Sequence, residues 1–387
     1  MNRLMAGALS LVLLVPAATA QKNLEKNLDK LHIQVHGFAT QSFTYSNHNN
    51  YLGMNTSDGS ADWSEAAVNV NEQISSRFRV GAQLHYTRLG EFCGDKPSLD
   101  WALVDFKAKP WLSVRAGKVK IRWGLYNDTQ DYDPGYLWSL LPESIYGLDL
   151  RTTNLSQEGV DVYGKVPLAK KLGRLDYSLY YGYYSYASND GYMAIFHASD
   201  MKFLEIPKGK TPGIDLRWAT PVTGLKVGGS VMFYDSSGKL TNGKFYQPLA
   251  VWPTFYAQYD APKYFASAQY MKLVQYQTIT VDGTDPATSV SDGRAWFVMG
   301  GYHLTSKLQA GAYYSHYLLA SGGDSSDPVN YSNDWVVSGR YDIHPKIYAK
   351  VEGHFVKGEG LGFYGFNNLN DLQPKTKLLV AKIGFAF

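Results

Sequence analysis

Strict alternation of apolar and polar side chains recurs in run after run along this chain, and it restricts the fold more than any other feature. Phe78, Val80, Ala82, Leu84 and Tyr86 alternate with Arg77, Arg79, Gln83, His85 and Thr87. Leu175, Tyr177, Leu179, Tyr181 and Tyr183 alternate with Asp176, Ser178 and Tyr180. Trp335, Val337, Gly339 and Tyr341 alternate with Ser338, Arg340 and Asp342, and Ile347, Ala349, Val351 and Phe355 with Lys350, Glu352 and His354. A period of two puts successive side chains on opposite faces of a strand. The chain is therefore read as all-β, each strand having one oily and one wet face.

The links between these runs alternate between short and long. Short ones fall at 75–76, 109–110, 168–173, 221–223, 261–262, 305–306 and 344–345. Long ones, rich in Asn, Asp, Ser and Gly, fall near 46–61, 90–97, 122–156, 187–209, 236–247, 277–291, 320–331 and 357–375. Strands are predicted between them, near 32–45, 62–74, 77–89, 98–108, 111–121, 157–166, 174–186, 210–220, 224–235, 248–260, 263–276, 292–304, 307–319, 332–343, 346–356 and 376–387. That makes ~16, an even number within the range of bacterial barrels. Where phase slips, as between Asp100 and Asp105 or Arg115 and Lys118, a bulge is expected, with Gly117 a natural place for one.

Alternation alone also fits a soluble sandwich, which buries its apolar faces against each other. Two features favour a membrane barrel. Aromatics gather at strand ends (Trp101, Trp111, Trp218, Tyr259, Tyr264, Trp296, Tyr302, Trp335), as interfacial girdles require. The strands also exceed the five or six residues usual in soluble sheets. The chain carries 30 Tyr and 37 Gly, and after residue 20 no apolar stretch is long enough for a membrane helix. Its mean hydropathy of −0.27 would by itself read as a soluble protein, against which the Tyr and Gly content stands.

Residues 1–20 read as a signal peptide. Arg3 supplies the positive start, Leu4 to Val15 the apolar core, and Ala18-Thr19-Ala20 the small-residue cleavage site. The remainder divides into a short periplasmic segment, 21–31, and a barrel, 32–387. In the segment Leu24, Leu28 and Leu31 share a helical face too short to stand alone. Cys93 is the only cysteine, so no internal disulfide framework is available, and its flanks read as a loop. A formal charge of +3 without basic runs gives no pull toward nucleic acid. His32 and His36 lack the further ligands of a metal site, and Gly358 to Gly362 lacks the strand–helix setting of a dinucleotide loop. No cofactor, metal or nucleic-acid partner is expected.

The final strand, Lys377 to Phe387, alternates through Leu379, Ala381, Ile383 and Phe385 and ends on Phe387. Such an ending resembles the assembly signal of bacterial outer-membrane barrels. With the signal peptide and the short and long links, the chain after residue 20 resembles a bacterial porin of the 16-stranded class. Locally, Arg115-Ala116-Gly117-Lys118-Val119-Lys120 followed by Gly124-Leu125-Tyr126-Asn127-Asp128 is similar to channels related to the phosphate-selective O/P group. The dense arginine ladder of phosphate-specific channels is not evident. The resemblance implies a transmembrane antiparallel up-and-down barrel with short periplasmic turns and long external loops. It also implies insertion by the barrel-assembly machinery into lipid and lipopolysaccharide, assembly as a homotrimer, and a third external loop, near 122–156, folded into the lumen.

The residues of that loop agree with the last point. Tyr132, Tyr136, Leu137, Trp138, Leu140, Leu141 and Tyr146 are too apolar for a free external loop and need a wall to pack on. Its Asp128, Asp131, Asp133, Tyr136 and Glu143 are the constriction candidates. Arg77, Arg79, Lys118, Lys120 and Arg122 are the pore-lining basic candidates opposite them. Opposed charge across a narrow wet gap filters solutes by a transverse field. The expected lumen also holds Lys165, Arg217, Lys226, Arg340, Lys350 and Lys382, against Glu65, Asp100, Asp161, Asp176, Asp215, Asp342 and Glu352, and so leans basic. The reading is a non-enzymatic porin, a passive channel for small hydrophilic solutes or ions with mild anion preference. The alternatives are a barrel phospholipase or protease, for which Ser315-His316 and His354 are candidates by type only, and a loop-mediated adhesion or binding protein.

Overall fold

The computed structural model describes residues 33–387 apart from 94–95, 170, 189 and 369–371. The proposed signal peptide, the 21–31 segment and His32 lie outside the described residues. The strands are β1 (Ile33–Ser46), β2 (Ser60–Ser75), β3 (Phe78–Leu89), β4 (Ser98–Lys109), β5 (Leu112–Lys120), β6 (Ser156–Pro167), β7 (Arg174–Ser185), β8 (Phe203–Lys210), β9 (Gly213–Ala219), β10 (Leu225–Leu240), β11 (Gly243–Asp260), β12 (Tyr264–Val281), β13 (Ala287–His303), β14 (Leu308–Leu319), β15 (Tyr331–His344), β16 (Ile347–Gly358) and β17 (Lys375–Ala386). Two short helices, α1 (Arg151–Asn154) and α2 (Gly191–Ala198), lie in the loops.

Each strand pairs antiparallel with its neighbours, and β1 closes onto β17 in register from Phe38 opposite Ala386 to Ser46 opposite Leu378. β8 and β9 are two halves of one stave, since each pairs with both β7 and β10. The break falls at Thr211-Pro212, where proline has no N–H to give the ladder. Thr211 still donates to Gly182 and Phe233 to the carbonyl of Pro212. The wall is therefore a closed 16-strand barrel, as the alternation predicted. Closure pairs every backbone polar group and leaves no open edge for lipid.

The faces divide as expected. Trp335, Val337, Val351 and Phe355 are exposed outward, while Ser338, Lys350, Glu352 and His354 are buried inside. Phe385 and Phe387 lie on the outer face. Phe387 exchanges two backbone hydrogen bonds of 3.0 Å with Gly37. A Cβ on Gly37 would come within 2.7 Å of the Phe387 ring, so the seam needs glycine there.

Three expectations need correction. The long links near 236–247 and 277–291 are tall hairpins. β10 and β11 run on to Leu240 and Gly243, β12 and β13 to Val281 and Ala287. Their Ser- and Thr-rich sequence resembles loop because a strand that has left the bilayer no longer needs an oily face. Within the link near 187–209 the chain forms α2 and begins β8. The bulge of β4 falls at Asp100: Gln83 faces Trp101 and Leu84 faces Leu99, so Asp100 is the extra residue. β5 needs no bulge. Arg115 faces inward opposite Asp161, and Lys118 faces outward opposite Ala102 and Glu158.

Candidate functional site

The long connection 121–155 crosses the lumen and is tied to the wall on most sides. Its apolar residues Trp123, Leu125, Leu137, Trp138, Leu140, Ile145 and Tyr146 are buried inside the barrel. Trp123 packs against Trp252 of β11, the ring centroids 4.4 Å apart and the rings tilted by 49°. Backbone N–H groups of Gly124 and Leu125 donate to Ser230 of β10 and Gln269 of β12, each at 3.0 Å. On the far side, Glu352 of β16 accepts from the N–H groups of Ser139 and Leu140, each at 3.0 Å. His354 sits between Glu352 (3.1 Å) and Asp334 (2.7 Å) and completes that anchor.

The constriction candidates take different places. Asp128 faces Arg217 at 3.5 Å and Arg122 at 3.9 Å. Asp131 is gripped by Lys120 at 2.6 Å and by Gln83 at 2.7 Å. Asp133 is an anchor, bound by Lys350, Lys382 and Tyr348 on β16 and β17. Tyr136 packs edge-on against Tyr126 at 5.7 Å and shares a hydrogen bond with Thr129. Glu143 turns back into its own loop, accepting from the N–H of Leu148 at 3.3 Å, and does not face the charged gap.

Of the basic candidates, Arg79, Lys120 and Arg122 lie inside. Arg77 does not: it is in the exposed turn between β2 and β3, one residue before the alternation of β3 begins. Lys118 does not either, since its register places it outside, where its Nζ donates to the carbonyl of Leu99 at 2.5 Å. Arg115 belongs in the inner set, paired with Asp161 at 2.7 Å, and so does Arg217, 2.8 Å from Asp215. The only sequence signal for Arg115 was its being out of phase with Lys118. Ser230, Gln83 and Gln269 carried none, because an inward polar residue looks the same whether it meets water or a loop.

Five inner pairs share an asymmetry that others reverse, since Asp128 is slightly more exposed than Arg122 and Arg217, and Asp342 more than Arg340. In Arg79–Asp105, Arg115–Asp161 and Lys120–Asp131 the cation keeps 42, 18 and 20 % of its side chain exposed, its acid 10, 1 and 1 %. Arg122 and Arg217 stand the same way before the fully buried Asp215. In these five pairs the acid is the deeper partner, Asp131 in the crossing loop and Asp105, Asp161 and Asp215 on the wall.

At the outer end, Tyr51, Leu52, Met54, Phe92 and Phe363 from three external loops form a buried apolar cluster with Leu140. Cys93 is buried in it, and burial pushes its thiol up to about 12. Asp190 caps α2 by accepting from the N–H of Met193 at 3.2 Å and takes the hydroxyl of Thr153. Asp149 accepts from the hydroxyl of Tyr364. As for the candidate catalytic groups, Ser315 and His316 point to opposite faces of β14. His316 pairs with Asn333 and Ser315 with Ser144.

No family model and no curated protein matches the sequence. Solved structures do. OmpT of Vibrio cholerae, described as outer-membrane expressed, is 11% identical at a TM-score of 0.56, covering 92% of this chain and 97% of its own. An anion-selective porin from Comamonas acidovorans is 11% identical at 0.55, covering 92% and 99%. OmpF of Salmonella typhi, in complex with daunomycin, is 13% identical at 0.57, covering 92% and 97%. At such identities the likeness is one of fold. The chain has a barrel fold like that of these outer-membrane proteins, closed by 16 strands and crossed by a loop.

Proposed function

We propose that this protein is a passive diffusion channel of the outer membrane, a porin that admits small hydrophilic solutes and prefers anions. The observation that carries the reading is the opposed charge of Asp128 in the crossing loop, Arg122 at the root of that loop and Arg217 of β9, all three partly solvent-exposed. A field across a narrow wet gap orients and filters what passes. Anion preference is supported by Arg79, Arg115 and Lys120, each of which is more exposed than the carboxylate it pairs with. The likeness of 115–128 to phosphate-selective channels falls on this stretch, and no phosphate specificity is proposed. The test is conductance of the purified protein in planar bilayers with a salt gradient. Steady ohmic steps with a reversal potential on the anion side are expected. Silence would reject the channel, and cation selectivity would reject the preference.

Assembly as a homotrimer is part of the proposal. Its support is the outer face of β3 to β6, where Ala82, Ala102, Ala116 and Gly117 leave a shallow groove beside Lys118 and Glu158. Charges on a lipid-facing wall cost up to about 2–4 kcal/mol at mid-membrane, a cost that a neighbouring subunit removes. Ala102→Trp should convert the trimer to monomers in mild detergent, read as native mass. A wild type that is monomeric throughout would reject the assembly.

A further inference from the structure

The periplasmic end of the lumen holds a second site, distinct from the charged gap. Strand register brings Asp260, Phe265, His303, Gln309 and Arg340 to the inner face of five consecutive strands, β11 to β15, next to their periplasmic turns. Above them lies the underside of the crossing loop, with Tyr126 and Tyr136. Together they enclose about 420 Å³, within the roughly 300–1,000 Å³ typical of small-ligand sites.

The lining selects a chemistry. The hydroxyls of Tyr126 and Tyr136 are each held by a bond to Ser267 and Thr129, which fixes how their rings border the space. With Phe265 they form the smaller, apolar part of a mostly polar lining, against which the C–H face of a saturated ring can pack. Polar edges surround it. The Gln309 amide makes no hydrogen bond among the described residues. Arg340 spends Nε on Asp342 at 2.9 Å and Nη1 on the carbonyls of Pro134 and Tyr136, which leaves Nη2 to donate.

Charge decides between ligand classes. Arg340 is neutralised by Asp342, and Asp260 by Lys226 at 3.6 Å. An anionic ligand would face both carboxylates, and a cationic one would face Arg340. An uncharged ring with hydroxyls on its edge meets neither penalty. We propose that this vestibule binds a neutral sugar, a mono- or disaccharide, as it enters or leaves the lumen. The proposal deepens the channel reading by naming a solute class, and its role in transport rests on that reading. Binding itself does not.

The experiment is a calorimetric titration of the detergent-solubilised barrel with D-glucose and maltose, set against gluconate and glucosamine. Saturable binding of a neutral sugar is expected, with the charged analogues weaker by about tenfold. Gln309→Ala should weaken it by about fivefold, one hydrogen bond's worth. Phe265→Ala serves as a second variant that removes ring surface. Both variants are first checked for the heat-resistant migration of a closed barrel. Folded protein that binds neither neutral sugar, or that binds gluconate more tightly, overturns the proposal. Sugar binding by a protein silent in bilayers would remove the channel and leave the site. Conductance without sugar binding would do the reverse.

Discussion

Lys382 and Asp133 meet across the barrel: the Nζ of a lysine on the last strand lies 2.8 Å from Oδ1 of a carboxylate in the crossing loop. Lys350 binds the other oxygen at 3.0 Å, and Glu65 stands 3.5 Å from Lys382. All of these groups are buried. Removing one member of a buried ion pair strands its partner, at a cost of about 3–5 kcal/mol. Asp133→Asn should therefore lower the temperature at which the barrel loses its heat-resistant migration and make the single-channel current noisier. Adding Lys350→Met should recover part of the loss. An unshifted transition in Asp133→Asn would mean that this anchor does not hold the loop.

The charged gap makes a prediction of opposite sign for its two sides. Arg122→Gln leaves Arg217 to cover Asp215, so the wall should fold while its field weakens. The reversal potential in a salt gradient should move toward cations. Asp128→Asn should move it toward anions. A shift of the same sign in both variants would contradict a transverse field.

Acidity should control the external loops. Burial raises the Asp190 carboxyl to about 7, against the hydrogen bonds from Thr153 and the α2 backbone, and Asp149 adds like charge. Tyr186 and Tyr192 also pack near it, and no ion pair to it is present among the described residues. A folded-state pKa above the unfolded one means that the proton favours the folded loop. That stability is complete below the ordinary carboxylate pKa and is lost as pH rises toward 7, a swing of about 4 kcal/mol at 1.36 per unit. Amide exchange in α2 should quicken from pH 5 to pH 8 by more than base catalysis explains. Asp190→Asn should remove the excess. Exchange in the wild type that follows intrinsic rates alone would dismiss the linkage.

Cys93 gives a probe of the outer cluster. It is the only cysteine in the chain, nine-tenths buried, with a thiol that burial holds at about 12. Since the thiolate is the reactive form, maleimide labelling at pH 8 should be far slower than that of a free thiol. It should accelerate when the outer loops open or the protein unfolds. Rapid stoichiometric labelling of the native barrel would show that the cluster is not packed.

The wall was legible in the sequence because lipid and water on either side enforce a period of two, and runs such as 347–356 contain little else. Reading failed where that constraint lapses. The tops of β10 to β13 set Ser, Thr, Lys, Asn and Gly around a few inward apolar residues such as Leu240 and Phe245, and so resemble loop. In the site, charge type was legible and role was not. Lys350, Lys382 and Glu352 are inward charges that the pattern correctly kept from lipid, yet they hold a loop rather than face a stream of ions. Arg77 and Lys118 show the opposite error: Arg77 shares the phase of Arg79 but falls in the turn, and Lys118 is one residue of phase from the inward face.

The Asp133 anchor also bears on the order of assembly. Its partner Lys382 lies 249 residues further along the chain, on the strand that zips against β1. A carboxylate fixed only by the last two strands has nothing to grasp until those strands arrive, and such distant contacts form late. Seating of the loop's far side would then be among the final events of biogenesis, after its near side has met β10 to β12.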